Sequence, residues 1–180
     1  MNFNIDEYHI ESLAEINNLS SYARSELVKK YSWAIPTKEV IENLVPYCEN
    51  GIVEICAGNG YWARCFASVG INVKAFDNEP WDNSWHFVEV GTEERAGDYP
   101  ERVLFLCWPP YDEKVAVKSL HNHRVNGGEI FIYVGEDGGG CTGDESFHKY
   151  IHRYYKEIIY FQIPQWFGIH DYVSVYEVKK

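Results

Sequence analysis

The stretch "EICAGNGYWAR", residues 54–64, decides how this chain folds. It grows out of a short apolar run, Ile52 to Ile55, and leads into Tyr61 to Val69, whose apolar spacing and closing Gly70 read as a helix. Gly58 and Gly60 therefore stand at a strand-to-helix turn, where small residues let a ligand approach the backbone and the helix N-terminus. Cys56 holds the place where a stricter glycine-rich loop has its first glycine, and Ala63 the place of the last glycine of a dinucleotide loop. The next apolar run, Val73 to Phe76, ends on Asp77, where an acid can accept both hydroxyls of a ribose.

The same alternation continues on both sides of this unit. Downstream, His86 to Val90, Val103 to Cys107 and Glu129 to Val134 read as strands. Asp112 to His123 reads as a helix with Val115, Ala116, Ser119 and Leu120 inward, and Asp144 to Lys156 as a helix capped by Thr142 or Asp144. Ile158 to Ile163 and Tyr172 to Val178 are the last two strands. Upstream, Thr37 can cap a helix carrying Val40, Ile41, Leu44 and Val45, and residues 5–31 read as one or two helices with Ile10, Leu13, Ile16 and Leu19 on one face.

Strands alternating with helices predict an α/β three-layer sandwich around a seven-stranded, mostly parallel sheet. Only the eight residues Pro164 to Asp171 join the final strands, too few for a crossover, so the last strand is expected to be antiparallel. Residues 1–36 are expected to form an N-terminal helical extension and residues 37–180 the ligand-binding domain.

Composition narrows the function. Apolar residues make up 46% of the 180, enough for one cored domain, and no apolar run nears the ~20 residues of a membrane span. The start, "MNFNIDEYHIES", lacks a basic-then-apolar leader pattern, so a cytoplasmic location with no membrane partner is expected. The five cysteines show no CxxC pairing, which suits free thiols rather than a zinc site. A net charge of −11 disfavours long duplex nucleic acid as a partner and leaves nucleotides and small molecules in play. The oligomeric state is left open.

In an open α/β sheet, ligands bind beyond the carboxyl ends of the strands. Glycine, proline, acidic and aromatic residues concentrate there: "FDNEPWDN" (76–83), "CWPPYDE" (107–113), "GEDGGGCTGDE" (135–145) and "PQWFGIHD" (164–171). Pro109 and Pro110 cannot donate to a ladder, so "WPPY" either ends a strand or builds a rigid edge beside a ligand.

These residues resemble class I S-adenosylmethionine-dependent methyltransferases, which have a Rossmann-like fold. The first motif of that family, an acid followed by a glycine-rich turn, is similar to Glu54-Ile55-Cys56-Ala57-Gly58-Asn59-Gly60, and its ribose acid to Asp77. Pro109-Pro110-Tyr111, headed by Trp108, resembles the Pro-Pro-aromatic motif of the amino-methyltransferase branch. A group of small, uncharacterised methyltransferase-like proteins shares the look of "YSWAIPTKEV", "LCWPPYD" and "IPQWFGIHD". The resemblance spans about residues 22 to 178.

It implies S-adenosylmethionine held by Trp33, Glu54, Cys56, Ala57, Gly58, Gly60, Asp77, Asn78 and Cys107, with no metal. It also implies direct methyl transfer to a nucleobase or other planar small acceptor, a small molecule or nucleotide. Trp108, Pro109, Tyr111, Glu136 and His170 would then line the acceptor side. The family's head residue accepts hydrogen bonds from an amine, whereas Trp108 can only donate; the carbonyls of Trp108 and Pro109 are expected to stay available. Two other readings share the fold class: a catalytically silent S-adenosylmethionine-binding module, and a NAD-dependent oxidoreductase. Glu93 and Glu94 are weaker candidates for an adenine amino group. His148 and His152 share a helix face without a third ligand in view.

Overall fold

The computed structural model describes residues 21–82, 84–166 and 168–180. The stripe of Ile10, Leu13, Ile16 and Leu19 lies outside the described residues. The chain runs α1 (Ser21–Lys30), α2 (Lys38–Leu44), β1 (Ile52–Ile55), α3 (Tyr61–Ser68), β2 (Val73–Asp77), β3 (Val88–Val90) and β4 (Val103–Cys107). It continues with α4 (Val115–Val125), β5 (Ile130–Gly135), α5 (Glu145–Tyr154), β6 (Tyr155–Gln162) and β7 (Tyr172–Val178). Short 3-10 turns cover Val45–Tyr47 and Glu93–Asp98.

The seven strands form one sheet in the order β3-β2-β1-β4-β5-β7-β6. β1 pairs in parallel with β2 and β4, β2 with β3, and β4 with β5. β7 lies antiparallel to both β5 and β6. The expected α/β sandwich, mostly parallel sheet and antiparallel last strand are therefore present. β7 comes last in sequence but sits inside the sheet, with β6 at the border.

The side-chain alternation of the strands builds two cores, one per face. Phe105 and Ile132 face α2 and α3, where they join Ile41, Leu44, Trp62 and Phe66. Leu104, Leu106, Phe131 and Tyr133 face the other way, onto Ala116 and Leu120 of α4 and Phe147 of α5. β1 and β4 are buried along their whole length, as strands covered on both sides must be. Thr37 caps α2 by accepting the Val40 amide at 3.1 Å. Of the two candidate caps for α5, Asp144 fills the role, accepting the Phe147 amide at 2.8 Å. Thr142 is instead buried under β5, where its hydroxyl meets Tyr133 Oη at 2.6 Å. α5 gives way to β6 with no connecting residue, two residues before the expected helix end.

Residues 29–34 cross the carboxyl end of the sheet as a strap, hung from side-chain donors that come from three different parts of the chain. Trp62 Nε1 donates to the Ala34 carbonyl at 2.9 Å, Trp85 Nε1 to that of Lys30 at 2.6 Å, and Trp166 Nε1 to that of Trp33 at 2.6 Å. Val28, Ala34 and Ile35 are buried in the same core as α2 and α3, so this part of the N-terminal segment packs as an integral layer.

Candidate functional site

The β1–α3 turn sets the site. Cys56, Gly58 and Gly60 take φ values of 60°, 54° and 71°. A left-handed residue is needed at all three, and the first is a cysteine, which bears the backbone strain a glycine would avoid. Gly60 has a second constraint: a Cβ there would come within 3.0 Å of both His86 Cβ and Val88 Cγ2. Asn59 is buried; its side-chain oxygen accepts the Tyr61 amide at 3.1 Å, and its amide group donates to the strap carbonyls of Lys29 and Lys30 at 3.4 and 3.3 Å.

Asp77, at the end of β2, is held by this turn. Its Oδ2 accepts the Gly58 amide at 2.8 Å and its Oδ1 the Glu79 amide at 2.9 Å. A carboxylate oxygen has two lone-pair sites, so each retains one for a hydroxyl. The two amides thus aim the group and leave it able to chelate a cis-diol.

A cavity of about 210 Å³ opens between the turn and the strap. Glu54, Cys56, Gly58, Asp77, Cys107 and Trp108 face it from the sheet side; Tyr31, Ser32 and Trp33 face it from the strap. A second cavity of about 250 Å³ adjoins it past Cys56, Asp77 and Pro110, and is lined further by Asn78, Thr92 and Glu93. Asp77 stands where the two meet. Small-molecule sites typically span about 300–1,000 Å³, which the pair reaches together and neither reaches alone. A larger hollow of about 340 Å³ lies at the opposite end of the strands, by Pro100, Arg102 and Glu129. None of the strand-end loops contributes to it.

Glu54 is the most perturbed acid. It is 2% exposed, lines the first cavity, and its Oε2 has no hydrogen-bond partner among the described residues. Burial, then the negative charge of Asp77, pushes its pKa up to about 8, against the weaker pull of the Ala63 amide. Glu54 therefore keeps its proton at neutral pH while the cavity is empty of positive charge. Cys56 is likewise pushed to about 12 by burial and the surrounding carboxylates, so it stays a neutral thiol.

Trp108 ends β4 with φ at 49°, and its indole N–H donates to Oδ2 of the buried Asp171 at 2.8 Å. Its ring stacks on Trp33, centroids 5.2 Å apart and planes 11° from parallel. Pro109 turns its carbonyl to the Gly143 amide at 3.0 Å, and Pro110 pairs with Thr142. The Pro109 carbonyl, expected to stay available, thus accepts one loop amide and keeps one lone pair. Tyr111 is 47% exposed and outside the cavity wall.

Glu136 and His170 also lie outside that wall. The Glu136 carboxylate accepts the amides of His170 and Cys141 at 2.9 and 2.8 Å. Burial alone would raise its pKa, but these amides outweigh it and hold it below the usual range. Glu136 fastens the loop after β5 to the loop after β6. The His170 side chain is exposed, and its backbone makes the contact.

Trp33, Glu54, Cys56, Ala57, Gly58, Asp77 and Cys107 come together around the first cavity, and Asn78 around the second. Gly60 supports the turn from behind. Glu93 reaches the second cavity but pairs with Lys118 at 2.8 Å. The sequence reading missed Ser32, Tyr31 and Trp81 as wall residues and Asp171 as the anchor of Trp108. Among the described residues, no group of three or more His, Cys, Asp or Glu is placed to hold a metal ion, and no helix is long and apolar enough to cross a membrane.

Comparison with known proteins places the fold. No family model matches the chain, and no curated protein matches its sequence. Solved structures do match. Magnesium protoporphyrin IX methyltransferase from Synechocystis PCC 6803 with bound SAH superposes with a TM-score of 0.54 at 8% identity, over 79% of this chain and 83% of that one. A mutant of MtNAS in complex with S-adenosylmethionine gives 0.55 at 13% identity, over 94% and 71%. The chain shares with them a Rossmann-like α/β fold.

Proposed function

We propose that the protein is a methyltransferase that binds S-adenosylmethionine across the two adjoining cavities and transfers its methyl group to a small planar acceptor. The observation that carries this reading is the convergence, on one strand-end cavity, of the Gly58–Gly60 turn, the amide-aimed Asp77 and a buried, unpartnered Glu54. Asp77 would take the ribose hydroxyls, with the adenine side in the cavity of Asn78 and Glu93. Glu54 would face the amino-acid portion, where an ammonium group satisfies its orphan oxygen and restores its charge.

The bound cofactor supplies an electrophilic methyl group on a sulfonium. The chain's own part is to hold that group under an aromatic roof, to exclude water with the strap, and to present the acceptor in line. Among the described residues six aromatic side chains line the cavity, including Tyr31, Trp33, Trp81 and Trp108, and aromatic faces suit a sulfonium charge. The placement of Trp33 and Trp108 at the wall supports an acceptor site there.

Titration calorimetry with S-adenosylhomocysteine tests the reading directly. Binding with a one-to-one stoichiometry is expected, lost or weakened at least a hundredfold in Asp77→Ala. No heat of binding, or an Asp77→Ala protein that binds as tightly as the native one, removes the basis of the proposal. Selective binding of NAD would replace it with a nicotinamide enzyme.

A further inference from the structure

The walls of the first cavity carry a pattern that bears on what the acceptor can be. Among the described residues lining it there is no Lys, Arg or His. Its ionisable groups are two carboxyls, Glu54 and Asp77, and two buried thiols, Cys56 and Cys107. An anionic acceptor finds no cationic partner among them, and a carboxylate or phosphate would face Asp77 at close range.

Nor, among the described residues lining it, is a base left free once the cofactor is bound. Asp77 then faces the ribose hydroxyls, Glu54 pairs with the ammonium group, and burial keeps both thiols neutral. Glu136 and His170 lie outside the wall. The Pro109 carbonyl holds the Gly143 amide, and the Trp108 side chain is a donor committed to Asp171. The hydroxyls of Tyr31, Ser32 and Tyr61 also line the wall, so an amine N–H would find acceptors there but no base that removes its proton.

What the wall does offer is a flat face. Trp33 and Trp108 stack in parallel, Trp33 with 44% of its surface open at the mouth. Asp171 fixes the Trp108 ring by its N–H and, as a carboxyl acceptor, enriches the indole in electrons. An electron-rich aromatic pair stabilises positive charge that develops beside it.

Resting on the methyltransferase reading, we infer that the Trp33–Trp108 pair is the acceptor platform for an uncharged heteroaromatic ring, methylated at a ring nitrogen that bears no hydrogen. In that step the nitrogen lone pair forms the bond to the methyl carbon. The carbon–sulfur bond breaks with its electron pair left on sulfur, and the positive charge passes from sulfur to the ring nitrogen. No proton leaves, so no base is required. The product is a flat cation under the same aromatic faces. Asp171 is a positioning residue in this scheme.

The test uses the full chain with S-adenosylhomocysteine bound, and three probes of one shape: quinoline, 1-methylquinolinium and 2-naphthoate. Calorimetry should show both quinoline probes binding and naphthoate at least tenfold weaker. Trp33→Ala should weaken the quinoline probes roughly tenfold, the scale of one lost stacking partner. Trp33 is a surface residue, and an unchanged thermal melt will show that the variant folds.

With S-adenosylmethionine in weak buffer, quinoline should gain one methyl with no proton released, whereas methylation of 1-naphthylamine would release one per methyl. Naphthoate binding as well as quinoline, Trp33→Ala without effect, transfer with proton release, or no transfer to quinoline each overturns the acceptor class. Failure to bind S-adenosylhomocysteine at all is a different result, and falls on the methyltransferase reading instead.

Discussion

Replacing Glu54 with glutamine should flatten the pH dependence of stability in the ligand-free protein. The folded carboxyl has its pKa pushed to about 8 by burial and by Asp77, against an ordinary 4.5. Between those values the folded chain holds a proton that the unfolded chain has lost, so this group makes stability fall as pH rises. The slope is about 1.4 kcal/mol per pH unit at most, and near pH 7 the accumulated cost reaches about 3 kcal/mol. A glutamine of the same shape carries no such term. Its amide leaves a buried polar atom unpartnered much as the native acid does, so the slope isolates the effect better than the absolute level. Urea unfolding at half-unit steps from pH 4.5 to 8 measures it: the native protein should weaken relative to Glu54→Gln across that range. Parallel curves would refute the assignment of a neutral, buried Glu54. The same logic applies to the ligand. An ammonium group at Glu54 restores its charge, so binding near pH 7 should release close to one proton, seen as a buffer-dependent heat and absent in Glu54→Gln.

Asp77→Asn should keep the loop amides partly satisfied yet weaken S-adenosylhomocysteine by about 2–3 kcal/mol, because hydrogen bonds to a charged acceptor are lost; calorimetry reads it, and unchanged affinity would remove Asp77 from the site. Gly60→Ala should lower stability by about 1–3 kcal/mol, since φ is 71° and the new Cβ meets His86 and Val88 at 3.0 Å; an unchanged melting temperature would contradict the turn geometry. Glu136 has a lowered pKa, so its contribution is present above the ordinary carboxyl value and is lost as pH falls through the folded one. Glu136→Gln should therefore cost about 1.5–3 kcal/mol at neutral pH and lose less on acidification than the native protein, read by thermal melts from pH 7 to 3.

What the sequence made legible is what lies close along it. The β1–α3 turn and Asp77 are neighbours in one β-α-β unit, so their types and spacing sufficed to place them. The short link Pro164 to Asp171 sufficed to reverse β7. The rest depends on contacts between distant residues. Trp62, Trp85 and Trp166 share no local pattern, and only the fold shows their N–H groups converging on residues 30–34. Asp171 shares no local pattern with Trp108, from which it is 63 residues away, so its role as anchor was out of reach. Glu136 sat in an acidic, glycine-rich loop that suggested chemistry; the structure shows two backbone amides filling its oxygens. Cys56 looked like a departure from a glycine motif, and the chain takes the glycine-like φ regardless. A residue type can mark a strained position only when the strain forces the choice, and here it did not.

The placement of β7 between β5 and β6 has a consequence for biosynthesis. As the nascent chain leaves the ribosome, β6 emerges while the β5 border is bare, yet its place is one strand further out. It must wait for β7 to be made and the two must dock as a hairpin. The link between them carries Trp166, which hooks the strap, and Asp171, which seats Trp108. Ribosome-bound chains stalled before residue 172 should therefore own most of the sheet and no finished pocket, so competence to bind waits until β7 has emerged.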